Sequence, residues 1–395
     1  MSLFRRGWDA FDPSAPPPNS SRSPWTGRFR RPDRDQAMRL SAVWAALRLR
    51  ADLISTMPID VFRKVQGVQI EMPKPPVLIS PSGDDLDMVE WMYSTQVDLD
   101  SCGNTFGIIT ERSGAEGDRL PSRIELVPYT DVVVQKRDGK VTYRIAGTKY
   151  EPADVWHERQ YTVSGIPVGL SPLAYGAMAL GTGLSAQEFA SAWFDAGGAP
   201  TGILRNKEKK LEPGEAATAK LRFKESTAAR DVFVTGKDWD YAMVSAKASE
   251  SSYVEQSGIS ATDAARYLGV PGDVIDAAVS GSSVTYANIT QRNLQLLVLN
   301  LGPAIVRRET ALSRRLLPAP RFVKLNSDAL LRMDPMQRAE MLNAKVAART
   351  LAPSEARALD NLEPFTPDQL AEFATLFPSK APTPGTGTAP NGATS

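Results

Sequence analysis

The stretch AAVSGSSVTYANITQRNLQLLVLNLGPAIV, residues 277–306, joins a run of small polar residues to a helical pattern. Serine, glycine and threonine dominate residues 280–285. Asp276 is the only charged residue from Val274 to Gln291, in a chain with 23% charged residues. We therefore predict an uncharged loop at Ser280 to Thr285, placed between two helical segments.

A long helix should follow this loop. The apolar spacing predicts helix from about Tyr286 to Leu317, roughly 48 Å in length if it is continuous. Gly302-Pro303 should kink it. Four arginines follow the kink, more than the helix dipole needs: Arg307, Arg308, Arg314 and Arg315.

The first half of the chain alternates helix and strand signals. Apolar residues at helical spacing begin near Leu40, and Pro58 ends that pattern. A strand is predicted at Ile59 to Lys64 and a second helix from about Asp84 to Val97. Strand-like runs follow at residues 103–110, 123–128, 131–137, 141–147 and 154–159. These signals predict an α+β unit that ends near residue 165.

Ser171-Pro172 is a helix-start signal, and the helix it opens should run to about Asp195. Each interior glycine costs on the order of 1 kcal/mol relative to alanine. Three glycines therefore indicate either close packing of a neighbouring helix or a break: Gly176, Gly181 and Gly183. The GTGLSA motif within this helix lacks a preceding strand, so it does not indicate a dinucleotide site.

The rest of the chain divides into short segments. They are an inserted strand–helix–strand module at 200–248, a helix within 257–275, a strand at Arg321–Ser327, and a helical pair at Pro335–Arg349 and Ser354–Asn361. From Pro378 onward, proline, glycine and threonine predict disorder.

The composition limits which disulfide, catalytic and metal sites the chain can contain. A single cysteine excludes an intrachain disulfide, and a single histidine leaves little for a catalytic triad or a metal site. We expect Cys102 to be a buried filler and His157 to be a structural residue at a strand edge or strand end. We find neither a signal peptide nor an apolar run long enough to cross a bilayer.

The N-terminal arm is basic. Residues 1–50 hold ten arginines and four aspartates, although the whole chain has a net charge of only +1. The arm could contact nucleic acid or an acidic protein surface, or it could be a solvated flexible segment.

Taken in order, six motifs resemble the portal proteins of long-tailed bacteriophages, over roughly residues 37–365. They are LSAVWAALRLRADLISTMPIDVFRK, SPLAYGA, DAGGAPTGIL, AARYLGVPGDVI, TYANITQRNLQLLVLNLGPAIVRRETALSRRLLP and APSEARALDNLEP. No single motif is decisive, and the specificity lies in their common order.

The resemblance implies a portal-type α+β fold with a mixed α/β wing, a helical stem, a small clip, a tunnel loop and a helical crown. The implied division of this chain is a disordered arm (1–36), wing (37–170), stem helix (171–197), clip (198–250), stem helix (251–277), tunnel loop (278–288), long kinked helix with the C-terminal part of the wing (289–333), crown (334–377) and disordered tail (378–395).

The resemblance also implies a function. Such proteins form a ring, usually of twelve copies, at one capsid vertex of the virion, and double-stranded DNA passes through it during packaging and ejection. The implied partners are the terminase large subunit, the major capsid or scaffolding protein and a head-completion adaptor. No enzyme activity, cofactor, metal or membrane is implied, and assembly would take place in the host cytoplasm.

The resemblance also implies candidate site residues. The DNA-channel loop would contain Ser280, Gly281, Ser282, Ser283, Thr285 and Asn288. The motor or adaptor would contact the clip at Lys207, Lys209 and Lys210. Subunit packing would use Gly176, Gly181 and Gly183. The four arginines could pair with acids of the next subunit or face DNA on the capsid side.

The uncharged loop has a physical rationale in a DNA channel. Each neutralised phosphate adds counterion-release affinity that would hold DNA in place, whereas small hydroxyls allow a sliding contact. An ordinary interhelical loop has the same composition, and a lysine run such as that in the clip is often a solvated turn. Two other functions remain open: a soluble α+β enzyme acting on a nucleotide or phosphorylated substrate, and a capsid-type shell protein.

Overall fold

The computed structural model describes residues 10–11, 33–83, 85–114, 120–137, 139–195, 202–206, 212–229, 239–243, 261–275, 286–327, 335–360 and 362–376. The chain divides into two compact units, Met1–Leu330 and Leu331–Ser395. The first unit combines helices with antiparallel sheets, which confirms the predicted α+β class.

The helices of the first unit are α1 (Arg34–Ala37), α2 (Ser41–Ser55), α3 (Met88–Cys102), α4 (Pro172–Tyr175), α5 (Ala177–Asp195), α6 (Pro213–Ala229), α7 (residues 261–268), α8 (Tyr286–Gln295) and α9 (Gly302–Leu316). Its strands are β1 (Ala10–Phe11), β2 (Ile59–Val65), β3 (Val68–Met72), β4 (Asn104–Ser113), β5 (Leu120–Val127), β6 (Val132–Arg137), β7 (Lys140–Ile145), β8 (Thr148–Tyr150), β9 (Val155–Arg159), β10 (Gly202–Asn206), β11 (Trp239–Met243) and β12 (Arg321–Leu325).

Four antiparallel sheets are present in the described residues. Their strand orders are β12-β2-β3, β5-β4-β9, β1-β6-β7-β8 and β10-β11. Ala10 and Phe11 pair with Gln135 and Val134 of β6, and α1 begins at Arg34. The N-terminal arm, predicted to lack regular structure, therefore contributes two short elements to the fold.

Helix α3 begins later than predicted, because its start is set by a capping box. The Asp87 side chain accepts a hydrogen bond from the Glu90 backbone, and the Glu90 side chain reaches back to the Asp87 N–H. The helix continues past Val97 and ends at Gly103, which has a φ of 75°. A Cβ there would overlap the carbonyl oxygen of Leu170, so only glycine fits this left-handed cap.

The helix predicted from Ser171 is broken after one turn. Ser171 caps α4 through the Ala174 N–H, as predicted, but α4 stops at Gly176 and α5 starts at Ala177. A Cβ on Gly176 would lie 3.0 Å from the Tyr267 ring of α7. Both predicted reasons for this glycine therefore apply, because it breaks the helix and allows α7 to approach closely.

Helices α4, α5 and α7 pack together with α2. Their shared core contains Leu47, Leu173, Leu180, Ala264 and Leu268, all buried. The predicted module at 200–248 contains β10, α6 and β11, with β10 and β11 paired. Residues 231–236 of this module and the lysines Lys207, Lys209 and Lys210 lie outside the described residues.

The long helix has an irregular centre, where the sequence predicted a kink. Between α8 and α9, residues Leu296–Leu301 form a π-helical segment, in which the Gly302 N–H bonds to the Leu297 carbonyl. Pro303 follows in the first turn of α9. A proline lacks an N–H and clashes with the carbonyl four residues earlier, and the wider π turn accommodates it.

Strand β12, predicted at Arg321–Ser327, joins the sheet that contains β2 and β3. It pairs with β2 over Arg321–Leu325. Its other edge is covered by α9, because the Val323 N–H donates to Ser313 Oγ and the Leu325 N–H donates to Glu309 Oε1. Side chains of the long helix thus satisfy an otherwise open sheet edge.

The second unit consists of helices in its described residues. These are α10 (Pro335–Ala347), α11 (Pro353–Leu359) and α12 (Pro367–Leu376). The predicted helical pair is confirmed, although the second helix ends earlier than expected, and α12 was not predicted. The tail from residue 378 onward lies outside the described residues.

Candidate functional site

The predicted loop is bounded by two segments that bond directly to each other. Residues 276–285 lie outside the described residues, but both flanks are described. Arg292 of α8 forms a 2.9 Å ion pair with Asp273, across the loop. Deeper in the fold, Asn300 Nδ2 donates to the Gly269 carbonyl at 2.8 Å. The two ends of the loop are thereby held at a fixed separation.

Arg50 of α2 connects these flanks to the interior. Its Nε and Nη2 donate to the two carboxylate oxygens of Asp100, each at 3.0 Å, and its Nη1 donates to the Asn300 carbonyl at 3.0 Å. Asp100 also accepts from Gln96 at 2.9 Å. Arg50 and Asp100 are both buried, and the paired geometry compensates their desolvation. The π-helical segment is thus anchored to α2 and α3.

A second buried ion pair anchors α9. Arg308 Nη1 donates to Glu158 Oε2 of β9 at 2.8 Å, and Nη2 donates to Thr95 Oγ1 of α3 at 2.7 Å. The guanidinium also lies 5.7 Å from the centre of the Trp91 ring. Both charged side chains are completely or almost completely buried. One arginine thereby joins the long helix to a strand and to another helix.

Burial raises the pKa of Glu158 to about 7, and the nearby Arg308 guanidinium only partly offsets this effect. Desolvation also lowers the pKa of Arg308. Between the ordinary glutamate pKa and about 7, the folded protein retains a proton on Glu158 that the unfolded chain has released. The stabilisation from this proton is complete at low pH and is lost as pH rises through 7.

We therefore predict that the free energy of unfolding of the parent chain falls relative to that of Glu158→Gln as pH rises from 5 to 8. The difference should change by at most about 1.4 kcal/mol per pH unit, because one proton is involved. Denaturant titrations of both proteins at each pH measure it. Parallel pH curves for the two proteins would show that Glu158 does not titrate in this window.

Two of the four arginines of the long helix do not face outward. Arg308 is buried against Glu158, and Arg315 Nη1 donates to the Val155 carbonyl at 3.0 Å beside Trp156. The prediction that these residues face a neighbouring subunit or DNA is wrong for both, because they anchor α9 within the chain. Arg307 is half-buried over the Tyr161 ring, and Arg314 is exposed.

His157 and Cys102 are structural residues, as predicted, and His157 lies in the middle of β9, an edge strand of its sheet, and not at a strand end. The His157 ring stacks on Phe106 at 4.3 Å between ring centres and contacts Tyr143 Oη and Asn104 Oδ1 at 3.0 and 3.1 Å. Desolvation lowers its pKa, so it stays neutral. Cys102 is buried at the end of α3, and burial raises its pKa, so the thiol stays protonated.

Five of the six predicted channel residues lie outside the described residues: Ser280, Gly281, Ser282, Ser283 and Thr285. Asn288 lies in the first turn of α8, so the last part of the predicted loop is helical. Among the glycines predicted for subunit packing, Gly176 contacts Tyr267 of the same chain, Gly183 is buried, and Gly181 lines an open groove of about 230 Å³ between α1 and α5.

The buried ion pairs were not predicted, although the sequence contained a signal for one of their residues. Ile305, Arg308, Leu312 and Leu316 recur at helical spacing, so Arg308 falls on the face of α9 that its apolar neighbours predict to be buried. The partners Glu158 and Thr95 come from distant segments, and no local pattern pairs them with Arg308.

Within the described ranges, no cluster of histidine, cysteine and acidic side chains has the makeup of a metal site. Nor do those ranges contain a helix with the length and apolarity needed to cross a bilayer.

Known proteins resemble this chain over most of its length. The probable portal protein of Streptomyces phage phiC31 is 25% identical over 386 residues, which cover 93% of this chain and 83% of the relative. The portal protein of Enterobacteria phage HK97 is 23% identical over 349 residues, which cover 84% of this chain and 80% of the relative.

Solved structures share the fold. An HK97 family phage portal protein from Corynebacterium diphtheriae superposes with a TM-score of 0.58 at 19% identity, covering 76% of this chain and 97% of the other. A chain in the neck of a native gene transfer agent particle, computed with C12 symmetry, gives a TM-score of 0.55 at 19% identity and covers 86% of this chain and 96% of that chain.

A protein-family model also matches most of this chain. The model describes phage portal proteins and matches residues 41–361, which include all the loop-flanking and buried ionic residues described above. The chain belongs to the phage portal protein family.

Proposed function

We propose that this chain forms a portal ring at one vertex of a phage capsid, and that double-stranded DNA passes through the ring during packaging and ejection. Family membership supports the portal role. The twelvefold symmetry of a neck that contains a protein of the same fold supports a dodecamer. The ring would belong to the virion and assemble in the host cytoplasm.

Residues 278–288 are the proposed channel lining. The observation that carries this assignment is the pair of bonds at the base of the loop, Arg292–Asp273 and Asn300–Gly269. A loop that touches moving DNA needs a fixed base, so that drag on its tip does not unwind the flanking helices. Its lack of charge keeps contacts with phosphate weak.

We assign the docking surfaces for other proteins from the place of each segment along the chain. The proposed clip, residues 198–250, would contact the terminase large subunit or a head-completion adaptor, with Lys207, Lys209 and Lys210 facing acidic groups of the partner. Residues 334–377 would form the crown, and the wing would contact the major capsid or scaffolding protein. We assign this chain no catalytic step and no cofactor, since the packaging motor would supply the nucleotide hydrolysis.

Electron microscopy of the purified chain tests the proposal. Closed rings with a central hole are the expected result. Monomers that hydrolyse nucleotide would instead indicate an enzyme, and closed shells or sheets without a hole would indicate a capsid-type protein. A point change in a pocket that abolished such hydrolysis would exclude a contaminating enzyme as its source.

A further inference from the structure

Most of the buried polar atoms without a hydrogen-bond partner belong to a few neighbouring elements of the first unit. Among the described residues, ten buried side-chain nitrogen and oxygen atoms have no partner. Nine of them belong to α3, β4, β9 and α9 or to the residue that follows β9: Trp91, Gln96, Thr105, Trp156, Glu158, Gln160, Arg307 and Arg308. Such atoms are rare in folded proteins, so their grouping requires a physical explanation.

The sheet side of this group follows from strand pairing. Thr105 of β4 is directly opposite Glu158 of β9, so the two side chains project from the same face of the sheet. Side chains alternate along a strand, and Trp156 therefore shares that face with Glu158. The Gln160 N–H donates to the Gly103 carbonyl, which continues the pairing and places Gln160 on the same face. Thr105, Trp156 and Gln160 are 0% exposed.

Helices α3 and α9 pack against this face. The ring centres of Trp91 and Trp156 are 5.8 Å apart, which places α3 on the sheet. Arg308 of α9 bonds to Glu158 and Thr95 through its two Nη atoms, but its Nε has no partner. The unpaired atoms thus come from two helices and two strands that meet in one buried interface.

The chemistry of the unpaired atoms indicates what they bind. The two tryptophan nitrogens and the arginine Nε can only donate a hydrogen bond. The free oxygens of Gln96 and Glu158 are acceptors, and the side chains of Thr105 and Gln160 can do both. The Glu158 carboxylate would repel an anion, and the Arg308 guanidinium would repel a metal ion. Water both donates and accepts, so it fits the whole set.

The number of unpaired atoms sets the size of the site. A buried water molecule makes about three hydrogen bonds, so nine unpaired atoms correspond to about three water molecules. In a dry interface all nine atoms would be desolvated without compensation. That cost would consume a large share of the stability of an ordinary domain.

We propose that this interface holds a cluster of about three buried water molecules, which bond to Thr105 and Gln160 on the sheet and to Gln96 and Arg308 on the helices. The cluster connects the long helix to the sheet through bonds that the side chains do not make directly. All of its partners belong to one chain, so the inference is independent of the proposed ring.

Replacing Thr105 by valine distinguishes a hydrated interface from a dry one, because the two side chains have nearly the same shape. In a hydrated interface the water loses a partner, and the equilibrium constant for unfolding should rise about fivefold. In a dry interface the change removes an unpaired hydroxyl and should lower that constant. Gln160→Met should act in the same direction, since methionine has a similar length and lacks the amide. Denaturant titration of the full chain at one protein concentration measures both variants.

Thr148→Val is the matched control. Thr148 lies on β8 and is exposed, so valine at this position tests the effect of the side chain on a strand without removing a buried group. Its unfolding constant should change by less than about twofold. An unchanged or lower unfolding constant for Thr105→Val or Gln160→Met, relative to this control, would overturn the water cluster.

A density map of the parent protein, at a resolution that shows ordered water, tests the site directly. Water peaks should lie about 3 Å from Thr105 Oγ1 and from the Gln160 amide. Direct hydrogen bonds between protein groups in place of the water, or an ion at this position, would overturn the inference. Both of those results would leave the proposed ring intact.

Discussion

Replacing Arg308 by methionine should lower the free energy of unfolding by about 3 to 5 kcal/mol at pH 8. Arg308 is buried and forms the 2.8 Å ion pair with Glu158 that joins α9 to β9. Without it, Glu158 must either remain charged in an apolar surrounding or take up a proton. The loss should be smaller at pH 5 than at pH 8, because protonation of Glu158 is then less costly. Chemical denaturation followed by tryptophan fluorescence measures both values.

The double variant Arg308→Met with Glu158→Leu is the matched control. It removes both charges, and Thr95 keeps a hydrogen-bond partner, since its hydroxyl also donates to the Trp91 carbonyl at 2.7 Å. We expect the double variant to recover most of the stability lost by Arg308→Met. A double variant no more stable than the single one would show that the arginine acts through packing of its stem and not through its charge.

Replacing Ser282 and Ser283 by arginine should lower the yield of DNA-filled particles by at least about tenfold while rings still assemble. Every copy in the ring would add two positive charges to the proposed channel lining. Each phosphate they neutralise releases counterions and strengthens attachment, so DNA would be held where it has to move. Counting filled and empty capsids by electron microscopy, with ring formation checked on the purified variant, gives the result.

Asparagine at the same two positions is the control, because it adds bulk and hydrogen bonds without charge. We expect packaging with Ser282→Asn and Ser283→Asn to stay close to that of the parent chain. Raising the salt concentration should partly rescue the arginine variant, since screening weakens phosphate contacts. Normal DNA filling by the arginine variant would contradict the sliding-contact assignment.

The elements that could be predicted from the sequence are those that depend on a few neighbouring residues. Ser171-Pro172 indicated the start of α4, and Gly302-Pro303 indicated the irregular centre of the long helix. Strand β12 was predicted from its own pattern, but its pairing with β2 was not. These features depend on a few neighbouring residues, so a short stretch of sequence was enough to find them.

The contacts that hold the candidate site together could not be predicted in the same way. Arg50 bonds to Asp100 and to Asn300, which is 250 positions away, and Glu158 is 150 positions from Arg308. The four arginines of the long helix were interpreted together as outward-facing charge. The structure separates them, since Arg308 and Arg315 bond inside the chain while Arg314 is exposed.

These buried contacts connect the proposed channel loop to the body of the subunit. From the base of the loop, Asn300 bonds to Gly269, and Arg50 joins Asn300 to Asp100 on α3. Arg308 then fixes the second half of the long helix to α3 and β9. A force on the loop would therefore pass to the subunit core through these hydrogen bonds, which suits the proposed role of the loop as a channel rim of constant diameter.

A reconstruction of the assembled ring, with side chains visible around its axis, would show whether residues 280–285 line the channel. We expect these residues of every copy to form the narrowest constriction, with Ser282 and Ser283 facing the central hole and Arg292 still paired with Asp273 behind them. Serines packed inside individual subunits, with other residues forming the constriction, would contradict it.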